Sequence, residues 1–201
     1  MTDRLRQRLR RRPRFWAAMF AIGVGVVAAL RLTDAVDANT GFLLFVAAMG
    51  LTAPMYRALR RQNECGQGGT ATLRYAGGMI VAACGYVLGL GAATAIDRSI
   101  GLGPGAAVVV ALLPALPIIW MIYVMARYLR EEGDEYLRHR ATIAALVGLG
   151  VVLAAGSLWG FLEMFGVVPH APGWWCVPLW AIGMALGQAW LAIRDRTGSE
   201  A

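Results

Sequence analysis

Seventeen of the nineteen basic residues in this chain, all of them arginine, lie in segments that alternate with six apolar runs and share one side of them. The runs cover residues 15–30, 41–56, 75–96, 104–126, 141–165 and 174–193. The arginines fall seven, four, four and two in the N-terminal segment, in 57–74, in 127–140 and after 193, and the remaining connections carry only Arg31 and Arg98. Arginine in short loops resists translocation and stays cytoplasmic. This pattern predicts six membrane crossings with both termini inside.

Composition supports a membrane solvent. The 201 residues are 58% hydrophobic and 15% charged, with a mean hydropathy of +0.56. A soluble domain carries about 45–50% apolar and about 25% charged residues. About 20 apolar residues cross the hydrocarbon core as a helix, so six runs leave almost no chain for a soluble domain. The expected fold is all-α, a polytopic bundle of six transmembrane helices. The net charge of +7 reads as the topological signal plus attraction to anionic headgroups of the lipid bilayer. Nucleic acid is not expected as a partner, because the arginines have no folded platform. Cys65, Cys84 and Cys176 have no C-x-x-C spacing, so neither a disulfide nor a thiolate metal site is expected. The basic start and apolar run resemble a signal peptide, but no clean small-x-small site follows; a retained first span is expected.

The organisation follows. Residues 1–61 form a basic segment and a two-helix hairpin, 62–72 a Gly-rich linker, 73–196 a four-helix unit, and 197–201 a disordered tail. The second run is expected to end at Pro54, and 97–103 to make a tight turn. Residues 127–140 read as the most charged loop.

Lipid gives helices no hydrophobic reason to associate, so small residues must let them approach. Gly85 and Gly89, Gly156 and Gly160, and Gly183 and Gly187 are such pairs. They would serve as packing grooves in one bundle or as a homo-oligomer face. Pro114 and Pro117 predict a kink near Leu113. Trp16, Trp174, Trp175 and Trp190 suit the interface. Trp159 and Trp180 lie deeper, for packing against each other or on glycine grooves.

Few residues offer chemistry. Glu163 is the one ionisable candidate inside a span, where charge is expensive; it could bind a cation, relay a proton, or reach the outer interface. Gln188 is the notable uncharged polar group. In the charged loop, a helix resuming after Gly133 would put Asp134 with Arg138, and Glu135 with His139, four apart. The second pair could start a metal site, but lacks the other E-x-x-H half of a di-iron bundle. His170, between Pro169 and Pro172, reads as a solvated loop residue. No catalytic residues, metal site or cofactor are assigned, and the balance is against an enzyme.

Tyr128-Leu129-Arg130-Glu131-Glu132, Asp134-Glu135-Tyr136 with Arg138, and Trp159-Gly160-Phe161-Leu162-Glu163 together resemble a group of small multi-spanning inner-membrane proteins of proteobacteria. In these a D-E-x-x-R loop precedes a span ending aromatic-Gly-x-Leu-Glu. The likeness covers roughly residues 73–196, and the first two helices look like an addition. It implies a bacterial inner-membrane location and draws attention to Asp134, Glu135, Arg138 and Glu163; that group carries no established activity to transfer.

The sequence therefore suggests a non-catalytic accessory, assembly or regulatory protein with a membrane-protein partner or a second copy of itself. The alternative is a small transporter or channel using the proline-bearing fourth helix and Glu163. Topology reporters test the threading. A reporter active only in the cytoplasm is expected to be silent after Asp97 and active after Gly133; a cytoplasmic signal at Asp97 would overturn the six-span count.

Overall fold

The computed structural model describes residues 13–33, 35–64 and 69–198. The arginines up to Arg12, Asp34, the linker residues 65–68 with Cys65, and the tail residues 199–201 lie outside that set. Every regular element among the described residues is helical. They are α1 (Pro13–Leu32), α2 (Ala38–Met49), α3 (Thr52–Glu64), α4 (Thr70–Ile100), α5 (Pro104–Glu131), α6 (Glu135–Met164), a 3₁₀ turn (Gly173–Trp175) and α7 (Cys176–Gly198).

The protein is an all-α polytopic membrane protein. Among the described residues five segments are long and apolar enough to cross a membrane: Asn39–Glu64, Thr70–Ile100, Pro104–Glu131, Glu135–Met164 and Gly173–Asp195. Helix α1, with 20 residues, is about 30 Å long at 1.5 Å per residue, the thickness of the hydrocarbon core. Only 11–17% of an apolar 18-residue stretch in each of the five is buried. Apolar helices with outward-facing side chains are stable when the surroundings are hydrocarbon.

Residues up to Tyr128 pack as one unit and those from Leu129 as another. In the first, α1 lies against α2 and α3. Asp37 caps α2, accepting from the amides of Asn39 and Thr40 and from the Thr40 hydroxyl, at 3.1, 3.3 and 2.5 Å. That hydroxyl first, and then the amides, hold the Asp37 carboxyl below its ordinary range.

Pro54 does not end the second span. It sits in the first turn of α3, where a missing amide N–H is harmless. Its effect falls four residues upstream, because Gly50 loses the amide that would have reached its carbonyl. The chain tightens there, with Gly50 N–H donating to Ala47 O, Leu51 N–H to Ala48 O and Ala53 N–H to Gly50 O, each three residues back. The Thr52 hydroxyl donates to Met49 O at 2.6 Å. The span therefore breaks at Gly50 and Leu51 and continues to Glu64.

Two other boundaries move outward. Helix α4 runs past Asp97 to Ile100 and stops at Gly101, whose φ of 60° is the left-handed conformation that glycine adopts freely. The charged segment 127–140 is mostly helix: α5 reaches Glu131 and α6 starts at Glu135. Helices of 28 and 30 residues are about 42 and 45 Å long, longer than the core, so their charged ends extend into the headgroup layer.

Helices α4 and α5 pair antiparallel. Tyr75 meets Tyr128 with ring centroids 4.7 Å apart. Gly78 faces Val124, and Gly85 faces Pro117. A Cβ at Gly89 would overlap the Leu113 carbonyl. That carbonyl would ordinarily accept the amide of residue 117, but proline has none to give. Both expected prolines lie within the continuous helix α5, at the place where α4 comes closest.

In the second unit, α6 packs on α7 with Gly183 against the Gly148 backbone and Gly187 against Ala144 and Val147. Trp180 and Met184 cover Gly148. Ala141, Ala144 and Gly148 are the buried positions of α6, one face at helical spacing. The pair Gly156 and Gly160 takes no part in this contact, and a Cβ at either would meet nothing. Past Val152, α6 is exposed on all sides up to Phe161.

Gly89→Ala is expected to destabilise the protein by about 1–3 kcal/mol, because the neighbour that must yield is backbone. Gly156→Ala is expected to be neutral or stabilising. Unfolding of the two variants in mixed detergent micelles measures the contrast.

Candidate functional site

The sequence candidates lie at the two ends of the α6–α7 pair. At one end, Asp134 is the N-cap of α6, and its carboxylate accepts from the amides of Tyr136 and Leu137 at 2.9 and 3.3 Å. This capping satisfies amides that a helix start leaves unpaired. It also answers the expected pairing with Arg138: that guanidinium reaches Glu135 instead, at 3.6 Å. Glu132 accepts from the Asp134 amide at 3.3 Å, which fixes the three-residue turn between α5 and α6.

Glu135, Arg138 and His139 line an open depression of about 490 Å³ with Leu129, Tyr136 and Thr142. Glu135 also sits in the first helical turn, where a negative charge complements the helix dipole. The Glu135–Arg138 pair is exposed, so it contributes little stability. Among the described residues no group of three His, Cys, Asp or Glu side chains is arranged to hold a metal.

Beside the depression is a cluster that sequence reading missed. Tyr136 donates its hydroxyl proton to Asp195 at 2.5 Å. Arg140 donates to the same Asp195 oxygen at 2.9 Å and to the Tyr136 oxygen at 3.3 Å. A second guanidinium nitrogen reaches the Gln188 carbonyl at 3.5 Å. Helices α6 and α7 are thereby clasped at their charged ends. Gln188 contributes its backbone, while its side chain is exposed. A usable signal existed: once α6 and α7 are antiparallel, Arg140 and Asp195 are opposite charges at matching ends.

Glu163 is at the far end of α6. Its carboxylate contacts His170 Nδ1 at 2.6 Å and accepts from the Ala171 amide at 3.4 Å. The Trp159 indole donates to the Pro169 carbonyl at 3.2 Å. Both bonds tie the Pro-containing turn back to the helix. Trp159 and Trp180 therefore act apart, one on this turn and one on the Gly148 groove. Glu163 was singled out alone; its partnership with His170, seven residues on, was not anticipated.

Comparison of the chain with protein-family models, curated proteins and solved structures found no match.

The clasp is open to a double-mutant cycle. Arg140→Gln and Asp195→Asn are expected to couple by about 0.5–1 kcal/mol, the scale of partly exposed ion pairs, with the coupling shrinking in high salt. Thermal unfolding of the single and double variants in detergent measures it.

Proposed function

We propose that this is a multi-pass protein of the bacterial inner (plasma) membrane, both termini cytoplasmic, acting without catalysis as an accessory, assembly or regulatory partner of another membrane protein. The supporting observation is the start of α6. Glu135, Arg138 and His139 are exposed around one depression. The helix bearing them is capped by Asp134 and clasped to α7 through Arg140 and Asp195. A surface of mixed charge on a fixed helix selects partners by complementarity and lowers the chance of wrong pairing. The arginine distribution of the connections supports a cytoplasmic position for it.

The transporter reading has less behind it. A pore needs polar groups facing one another at mid-membrane. Glu163 is engaged with His170 and Ala171 in the turn after α6, and Pro117 of α5 lies against Gly85 of α4. Reconstituted flux that vanishes in Glu163→Gln would favour transport.

Affinity capture of the full-length protein from mild detergent is expected to recover one membrane protein in fixed ratio, above a matched membrane control. Reversing both charges, with Glu135→Arg and Arg138→Glu, is expected to lower that recovery without lowering the yield of the bait. Repeated recovery of the protein alone would overturn the proposal.

A further inference from the structure

The two helices of the second unit meet closely along only part of their length. Their glycine contacts involve residues 144–151 of α6 and 180–187 of α7. Residues 153–161 of α6 are exposed. Beyond the glycine contacts, the turn between the helices ties the far end of α6 to the chain that leads into α7. That turn is fastened twice. Close to the helix, Gly166 adopts a φ of 70°. Its amide donates to the Glu163 carbonyl, and the Val167 amide donates to the Leu162 carbonyl, which closes the end of α6 on itself. The farther fastening is made by side chains. Trp159 donates to the Pro169 carbonyl, one Glu163 oxygen meets the His170 ring at 2.6 Å, and the other accepts from the Ala171 amide.

His170 is joined to α7 with little slack. It stands between Pro169 and Pro172, and proline fixes its own φ. The Trp175 amide then donates to the Pro172 carbonyl at 3.1 Å, opening the 3₁₀ turn that runs into α7. Histidine is also the side chain that changes charge between about pH 5 and 8. With its extra proton the imidazole is a cation against the Glu163 carboxylate. Without it the pair is at most a hydrogen bond from a neutral donor, and bonds between two ionised groups are the stronger. The closed turn thus binds that proton more tightly than the open turn. Closing is favoured as pH falls through the histidine range, and the gain is lost as pH rises through it. The chain offers few competitors: between Arg140 and Arg194 the ionisable residues are Glu163, His170 and Cys176.

We propose that the turn between α6 and α7 is a pH-sensitive latch: a proton on His170 fastens the start of α7 to the end of α6 through Glu163, and its loss lets residues 168–172 lift away. The His170 side chain is 79% exposed and that of Glu163 33%, so water and salt screen the pair and the swing is modest. On the threading proposed above, this end faces away from the cytoplasm, where pH follows the medium. The latch belongs to the hairpin itself. It stands or falls without a partner protein and whichever way the chain is threaded.

The test is hydrogen–deuterium exchange of the full-length protein in neutral detergent, read by mass spectrometry from about pH 5.5 to pH 8, across the histidine range. Local opening governs exchange of such amides. Protection of the peptide covering residues 165–172, corrected for the intrinsic pH dependence of exchange, is expected to be about twofold to fivefold greater at the acidic end, the scale of an exposed ion pair. Raised salt should shrink that difference. His170→Asn and Glu163→Gln should each flatten the profile. The second variant keeps an acceptor for the Ala171 amide, so it separates loss of charge from loss of the hydrogen bond. Cys176→Ser and His139→Asn should leave the profile as it is. A flat profile in the unaltered chain would overturn the proposal, as would a pH dependence that persists in His170→Asn or in Glu163→Gln. So would an equal change of protection at residues 144–151, which would make the opening one of the whole hairpin rather than of its turn.

Discussion

The close approach of helix backbones in a solvent that does not drive them together is the constraint on which this structure depends. In water, burying a leucine face is enough to hold two helices. In hydrocarbon the same face is equally content against lipid, so contact must come from packing and from polar backbone atoms. The α4–α5 pair shows both. Pro117 removes the amide that would have answered the Leu113 carbonyl, and Gly89 lets the α4 backbone come up to that carbonyl. A Cα–H directed at such an oxygen contributes ~0.5–1 kcal/mol. Proline on one helix and glycine on the other are thus a single device. The α6–α7 pair achieves the approach with glycine on both sides, Gly148 against Gly183.

Charge is organised by the same solvent. Helices longer than the hydrocarbon core carry their ionisable groups beyond it. There the groups answer each other: Arg140 with Asp195, Arg138 with Glu135, Arg60 with Glu64, Glu163 with His170. Most of these pairs are well exposed and add little stability individually. Arg140 is the exception, with 23% of its side chain exposed, and it bridges two helices where Arg138 and Arg60 bond within one. The exposed Glu135–Arg138 pair at the start of α6 is accordingly able to exchange partners, whereas the clasp behind it fixes where it stands.

The spans were legible because hydrophobic length is a local property that lipid thickness converts directly into helices. Local chemistry also showed through, as in the helix resuming after Gly133. What could not be read was pairing. Gly156 and Gly160 have the same spacing as Gly183 and Gly187, yet only the second pair meets a neighbouring helix. Spacing says that an approach is permitted, and register decides whether anything approaches. Gly148, which does carry the contact, has no glycine four residues away on either side and so escaped the motif. The Tyr136–Arg140–Asp195 cluster joins residues more than 50 apart in sequence, which no local pattern reports. Pro54 was misjudged for a different reason: a proline acts on the carbonyl four residues before it, so the break belonged at Gly50.

That displacement of effect from cause also explains why a groove exists beside α4. Had the second span been one straight helix, its side chains would have met α4 along a continuous line. The missing Pro54 amide instead tightens residues 50–53 into bonds three residues apart, so the helix axis is interrupted where Met49, Gly50, Thr52 and Ala53 line the depression. The cause is covalent, since no rotamer change restores an amide hydrogen to proline. A cavity made by loose side-chain packing would close when neighbours repack; one made by an absent backbone donor persists.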